Sequence, residues 1–281
     1  MAALTALAIG VGCAGAPRSP VAPQPLAATA PPAASATAAA APAPGEAELP
    51  PSLRDLGLTP AQVHEAVRIS ADLESTAEPF VGAVTEFGHS VAGAARQCKG
   101  ETPFMQMDAA RVIREGDELR GPVLSALQRV HRLLTPEQRR RLSDRLVEGD
   151  DRAKRERRNA SRTRDLGPIL DLSTMQVMSM LVKAGVLWST FADRAEPWRV
   201  HYREAVTHFV RDDFNVHDEP VAAVPVVPLT LEFVQAGLRQ LVPLLEPKQC
   251  EALGRLIDEK LDEQAARTAE RAAARARVLE R

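Results

Sequence analysis

Leu134-Thr135-Pro136-Glu137-Gln138 repeats an earlier run, Leu58-Thr59-Pro60-Ala61-Gln62, that starts 76 residues before it. Two looser copies, Leu172-Ser173-Thr174-Met175-Gln176 and Leu245-Glu246-Pro247-Lys248-Gln249, start 73 residues apart. Each run has the chemistry of a helix start. A hydroxyl residue serves as N-cap, Pro falls at the first helical position where its missing N–H costs nothing, and Gln stands where a capping-box side chain reaches back to the cap. Leu58 with Val63, and Leu172 with Val177, add the apolar pair of a hydrophobic staple. In the third copy Thr174 takes the place of Pro, and in the last Glu246 takes the place of the hydroxyl residue while Pro247 and Gln249 remain. Two pairs of helix starts at nearly equal spacing imply one helical module written twice. Ala77-Glu78-Pro79-Phe80 recurs as Ala195-Glu196-Pro197-Trp198, and Leu142 and Leu146 align with Leu253 and Ile257.

Apolar spacing fills in the modules. Val63, Val67, Ile69 and Leu73 recur at close to helical period until Pro79, which is expected to bend or end the first helix. Val84, Phe87, Val91 and Ala95 continue beyond it. A third helix is expected from about Phe104 to Leu133, with a bend at Gly121-Pro122, and a fourth from Pro136. The second copy repeats this order. Val177, Leu181, Ala184, Trp188 and Phe191 give one stripe, residues 198–209 the next, Leu231 to Leu244 a third, and a last helix starts at Pro247. The expected fold is all-α: two tandem helical-hairpin modules of about four helical segments each. Seven Phe, two Trp and one Tyr in 281 residues leave the cores to Leu, Val, Ala and Met, which suits helices.

Composition sets the boundaries. Residues 1–13 read as a signal or lipoprotein segment, with an apolar run ending in Gly-Cys and Cys13 as the acylated residue, although Gly10 stands where such sites carry Leu and no basic residue precedes the run. Ordinary secretion and a cytosolic chain are the alternatives. Residues 14–51 are an Ala/Pro-rich tether, expected to be disordered. The first module spans 52–150, a basic linker or helix extension 151–165, the second, diverged module 166–264, and an Ala/Arg-rich helical tail, expected to project or fray, 265–281. Besides Cys13 only Cys98 and Cys250 occur. An oxidising compartment permits a bridge, but the two sit in different modules, which weighs against one.

Chemistry-bearing patterns are few. The sequence has no phosphate-binding Gly loop, dinucleotide turn, His-Glu-x-x-His pair or nucleophile elbow, so no catalytic residue, cofactor or metal ligand is assigned. His201 and His208 lie two helical turns apart, too far for one ion without further ligands. Residues Arg152 to Arg164 hold seven basic residues and one acidic one. Arg152, Lys154, Arg155, Arg157 and Arg158 are candidate contacts for acidic clients or an anionic surface, against the plainer reading of a solvated helix extension. Nucleic acid is not expected, because the net charge is −2 and no aromatic residues accompany the basic run.

The paired pentads, Leu58, Thr59, Pro60 and Gln62 with Leu134, Thr135, Pro136 and Gln138, together with the apolar series from Phe104 to Leu146, resemble the LTXXQ-motif (Spy/CpxP) family of periplasmic stress chaperones. The second module, with Leu172, Ser173 and Gln176 and then Leu245, Pro247 and Gln249, resembles it as a diverged copy. The resemblance implies an ATP-independent envelope chaperone that is not an enzyme, holding unfolded or partly folded envelope proteins on a curved helical surface. It also implies a periplasmic chain, here anchored to the membrane through the lipid on Cys13. Relatives pair as dimers, so the expectation for this tandem chain is a monomer whose modules pair internally. A metal-responsive periplasmic protein and an envelope regulator that docks on a membrane sensor are the rival readings.

Overall fold

The computed structural model describes residues 49, 52–159 and 170–279. They form six α-helices, and no strand occurs among the described residues. The helices are α1 (Pro60–Arg96), α2 (Pro103–Leu133), α3 (Pro136–Asn159), α4 (Thr174–His208), α5 (Val226–Leu241) and α6 (Pro247–Leu279). Short 3-10 turns at Val216–Asp218, Pro220–Ala223 and Val242–Leu244 complete the connections. Cys13 and most of the expected tether lie outside the described residues.

Each module has three helices, not four segments. Pro79, Pro122 and Pro197 all sit inside continuous helices. An interior proline removes one backbone bond and costs roughly 3 kcal/mol in an isolated helix. Here the flanks are held by packing. Ala77, Phe80 and Ala83 are buried around Pro79, and Leu119 and Ala126 around Pro122. The backbone bond lost at Pro79 and at Pro122 is offset by tertiary packing that a local reading does not contain.

α1 and α2 form an antiparallel hairpin. Arg111 pairs with Glu86 near one end, and at the other Arg129 reaches Asp72 at 2.9 Å and Glu65 at 3.2 Å. α4 and α5 form the second hairpin, with Lys183 Nζ donating to the Gln240 carbonyl at 3.2 Å and Phe191 against Phe233 at 4.4 Å. α5 has 16 residues where α2 has 31, so the second hairpin is shorter and thinner.

The third helix of each module packs on the first helix of the other. α6 runs antiparallel along α1, from the Cys98–Cys250 disulfide to the Glu74–Arg275 ion pair. α3 packs on α4 in the same sense, through the Arg139–Asp212 ion pair and a 2.9 Å hydrogen bond from Ser143 Oγ to the Val206 carbonyl. Corresponding residues carry these contacts. The interval from Leu58 to Leu172 also separates Cys98 from Asp212, and the interval from Leu134 to Leu245 separates Arg139 from Cys250. The disulfide of one junction is therefore replaced by an ion pair at the same place in the other. Gly254, counterpart of Ser143, lies so close to α1 that a Cβ would come within 2.8 Å of the Ala92 carbonyl, and Ala92 is the counterpart of Val206. In this register the Ala-Glu-Pro-aromatic repeats fall about one helical turn apart, so they are not structural equivalents.

The cores follow the interlock. One cluster joins Leu53, Leu56, Leu58, Val63, Val67, Leu134 and Leu142 of the first half to Phe209, Phe214 and Val216 of the second. Leu49, placed in the tether by composition, is buried within it, and its carbonyl accepts from Arg54 Nε at 2.9 Å. The other cluster packs Phe80, Phe87 and Val91 of α1 and Met105, Val112 and Leu119 of α2 against Leu231 of α5. The tail is helical as far as Leu279, and the contact of Arg275 with Glu74 fastens it to α1 instead of leaving it to project.

The Cys98–Cys250 bridge, against which the separate-module reading weighed, follows directly from the exchange of third helices. It holds Cα atoms 5.4 Å apart across a sequence separation of 152.

Candidate functional site

The four pentads are helix starts, and they are also paired. In α1, Thr59 Oγ1 accepts from the Gln62 N–H at 3.3 Å and the Thr59 N–H donates to Gln62 Oε1 at 2.9 Å, a complete capping box. Thr135 and Gln138 repeat it at 3.3 and 3.0 Å, and Ser173 and Gln176 at 3.2 and 2.9 Å. Glu246 donates its N–H to Gln249 Oε1 at 2.9 Å without a hydroxyl to complete the box.

The Gln side chains then join the two starts of each module. Gln62 Nε2 donates to Gln138 Oε1 at 2.9 Å and to the Leu133 carbonyl at 2.8 Å, while Gln138 Nε2 donates to Gln62 Oε1 at 3.2 Å and to the Gly57 carbonyl at 3.0 Å. In the second module Gln176 and Gln249 exchange the same bonds at 2.8 and 3.2 Å. They also reach the Leu244 and Asp171 carbonyls at 2.9 and 3.0 Å. Every donor and both acceptor directions of all four amides are used, so each pair is a closed network in which nothing is left unpaired. Gly57 and Asp171, which present the outermost carbonyls, both adopt left-handed backbone, φ 70° and 50°. The duplication thus extends to the residue before each first pentad. The side-chain amides are neutral, and the network fastens the two helix starts of each module together. The sequence reading missed the cross-link. Its signal was that Gln survives in all four copies while Pro is lost from the third and the hydroxyl from the fourth, although a cap needs only the hydroxyl.

One surface that differs sharply from its twin is on α4. Met175, Met178, Val182 and Val186 step by three and four along one face, and all are exposed, Met175 at 76% and Val182 at 65%. Their counterparts on α1 are Ala61, His64, Arg68 and Asp72, also exposed. One fold position therefore carries a solvated, charged face in the first module and an apolar face in the second. Trp188 touches Phe191 and Phe233 at ring distances of 5.7 and 6.0 Å and is still 45% exposed, where the twin has Glu74. From Thr174 to Ala192 the only charge is Lys183, which is engaged by the Gln240 carbonyl. Such a patch of large apolar side chains is a candidate contact surface.

A buried titratable group sits at the inter-module seam. His131 of α2 lies between Phe209 and Phe214, 5.1 and 5.0 Å between ring centroids, and its Nε2 is 2.9 Å from the Arg211 carbonyl, so that nitrogen carries the proton. Nδ1 is buried without a hydrogen-bond partner. Burial lowers the His131 pKa, and the Arg211 carbonyl only partly offsets it. Asp258 of α6 shows the opposite balance. Burial pushes its carboxyl up, but hydrogen bonds from His89 and Arg96 of α1 prevail and hold it below its ordinary value.

Other sequence candidates fall apart in space. His201 pairs with Glu204 at 3.1 Å, and His208 with Glu219 at 3.1 Å. Among the described residues no group of three or more His, Cys, Asp or Glu side chains could hold a metal ion. Arg152, Lys154, Arg155, Arg157 and Arg158 fall on the last turns of α3, where only the backbone is described. Among the described residues no helix is long and apolar enough to cross a membrane. No family model, curated protein or solved structure matches the chain.

Proposed function

We propose that this chain is an ATP-independent chaperone or stress protein of the bacterial envelope, of the Spy/CpxP kind, tethered to the membrane through a lipid on Cys13. The observation that carries the reading is the charge-free apolar face of α4, exposed on a framework whose twin helix has charged residues there. A fold that tolerates Arg68 and Asp72 at these positions does not need Val182 and Val186 for its own stability. Such a face binds unfolded segments weakly through apolar area, and the thioether side chains of Met175 and Met178 adapt to varied contours. Phe104 and Met107, exposed in the first turns of α2, add further apolar area. The disulfide supports an oxidising compartment. The basic run 152–158 supplies a second, electrostatic element that speeds encounter with acidic clients.

Suppression of aggregation of a chemically denatured client, measured with and without zinc, copper and nickel, tests the reading. Suppression that needs neither ATP nor metal is expected; its absence removes the chaperone assignment, and dependence on a metal replaces it with the metal-responsive one. In a bacterial host the chain should partition with membranes and Cys13→Ser should release it. Equal solubility of the two forms removes the lipid anchor.

A further inference from the structure

We propose that the groove between α3 and the end of α4 is a binding site for an extended peptide segment that carries an aliphatic side chain beside a lysine or arginine. The site is separate from the apolar face of α4 and does not rest on the reading of that face as the client surface.

The groove has a volume of about 420 Å³, within the range of ligand sites. Val147 of α3 and Val210, just beyond the end of α4, supply its apolar floor, with Ser143 and Thr207 beside them. Asp144 and Glu148 complete the lining and are its only charged groups. Asp144, Val147 and Glu148 stand at i, i+3 and i+4 of one helix, so the carboxylates flank the valine on a single face. Among the described residues neither carboxylate has an ion-pair partner. The neighbouring arginines are engaged elsewhere: Arg139 by Asp212, Arg145 by the Arg54 and Asp55 carbonyls, and Arg211 by Asp213.

The duplicate position shows what a closed junction contains here. The interval from Leu134 to Leu245 also separates Val147 from Asp258, and the interval from Leu58 to Leu172 separates Arg96 from Val210. Asp258 and Arg96 form an ion pair that joins α6 to α1, and the close approach of Gly254 to the Ala92 carbonyl brings those two helices together. Between α3 and α4, Ser143 sets the spacing by the length of a hydroxyl hydrogen bond, and two valines stand where the ion pair would close the gap. Two short aliphatic side chains cannot span it, and Val147 remains 40% exposed. The same framework therefore seals one junction and leaves an apolar slot with an acidic rim in the other.

Charge complementarity selects the occupant. A purely apolar segment gains nothing from the rim, and an acidic one meets two like charges. A lysine or arginine lays its aliphatic stem along Val147 and carries its charge to Asp144 and Glu148, while the neighbouring aliphatic side chain fills the slot. This preference is opposite to that of the basic run 152–158, so the two take different stretches of one polypeptide.

The test is methyl NMR of the full, oxidised chain with labelled valine, titrated with the hexapeptide acetyl-Gly-Ser-Leu-Lys-Ser-Gly amide and with its Leu-Glu counterpart. The Val147 and Val210 signals are expected to shift with the lysine peptide and to stay in place with the glutamate peptide, and the Val182 and Val186 signals to stay in place with both. Val147→Asp with Val210→Arg rebuilds the ion pair of the other junction and should weaken binding about tenfold or more, roughly the worth of one buried aliphatic side chain. Circular dichroism checks that this variant folds. Asp144→Asn with Glu148→Gln changes only exposed side chains, leaves the floor intact, and should abolish the preference for lysine over glutamate. No shift at either valine, an equal response to both peptides, or full binding by the rebuilt pair overturns the site. Shifts at Val182 and Val186 in place of Val147 and Val210 also overturn it and put the peptide on the α4 face. Arg18 is the only charged residue before Glu46, which makes the chain's own N-terminal segment the rival occupant. Binding that appears only after Arg18→Ser overturns the assignment to a foreign segment. Aggregation assays on the same samples keep the two readings apart. A chain that binds the peptide and never suppresses aggregation keeps the site and loses the chaperone reading; one that suppresses aggregation with no shift at Val147 or Val210 keeps the chaperone reading and loses the site.

Discussion

The α1·α6 and α3·α4 junctions occupy equivalent places in a duplicated framework and are made of different chemistry. Where the first has Cys98 joined to Cys250, the second has Asp212 paired with Arg139. Where Gly254 lets α6 lie close to the Ala92 carbonyl, Ser143 spans the distance with a hydroxyl bonded to the Val206 carbonyl. The first junction is long and covalently closed; the second is held by the Ser143 hydrogen bond, the core around Phe209 and an ion pair between a buried guanidinium and a largely exposed carboxylate. Two equivalent surfaces within one chain need not match each other, and here the covalent bond lies at one junction and the exposed apolar face on a helix of the other.

The comparison is most directly broken by removing the bond. Closing a loop of this length restricts the unfolded chain by about 5 kcal/mol in the entropic account. Reduction, or Cys98→Ser with Cys250→Ser, should therefore lower stability by up to that amount. Thermal denaturation with and without reductant measures it, and an unchanged midpoint would show that the α1·α6 helix contacts suffice alone. The same logic runs in reverse at the other junction. Arg139→Cys with Asp212→Cys should form a second disulfide under mild oxidation and raise stability by roughly 1–4 kcal/mol, less than the full entropic value because engineered bridges distort their surroundings. If the thiols stay free, the two junctions are not equivalent in geometry.

A smaller effect is expected at the amide pairs. Gln138→Ala leaves the second amide, the Thr135 N–H and the Gly57 carbonyl short of partners, at about 1–3 kcal/mol. Gln249→Ala, beside the cap without a hydroxyl, tests whether the second module rests on its pair to the same degree. Hydrogen exchange at the first turns of α1 and α4 should show each loss locally in its own module, and a uniform change across both would mean that the pairs do not act separately.

The smallest effect is a matter of pH. The folded-state pKa of His131 lies below its unfolded value of about 6.5, so below that pH the unfolded chain binds a proton that the native chain refuses. Stability should fall as pH drops from about 7.5 toward 5, and His131→Leu should flatten that slope. A slope equal in both proteins would place the acid sensitivity elsewhere. Asp258, whose folded pKa is held down by His89 and Arg96, stabilises above the unfolded carboxylate pKa, and its contribution is lost only at lower pH still.

What the sequence makes legible is what acts locally. Caps and prolines belong to single turns, so the helix starts at Pro60, Pro136, Thr174 and Pro247 are legible in the pentads. The Gln62–Gln138 and Gln176–Gln249 bonds span 76 and 73 residues, and nothing near either Gln announces the other except the repeat itself. Pro79 reads as a bend or an end of the helix because the packing that buries Ala77, Phe80 and Ala83 around it is invisible to a local rule. The stripe of Val177, Leu181, Ala184, Trp188 and Phe191 has the period of a buried face, yet Leu181 and Trp188 remain well exposed, since the short α5 does not cover them. The exchange of third helices was not legible, because periodicity reports which face of a helix is apolar and not which helix covers it.

The exchange also sets an order of events for a chain made from its N-terminus. α1 packs along α6, and Cys98 waits for a partner 152 residues away. Until α6 has emerged, the face of α1 that receives it is open, Arg96 lacks Asp258, and Cys98 remains a thiol. Contacts between distant parts of a chain slow its folding, and an unfinished helical face is open to wrong partners in the meantime. A protein that is proposed to shelter unfinished chains thus passes through the same exposed state itself, and it leaves that state only when its last helix closes over its first.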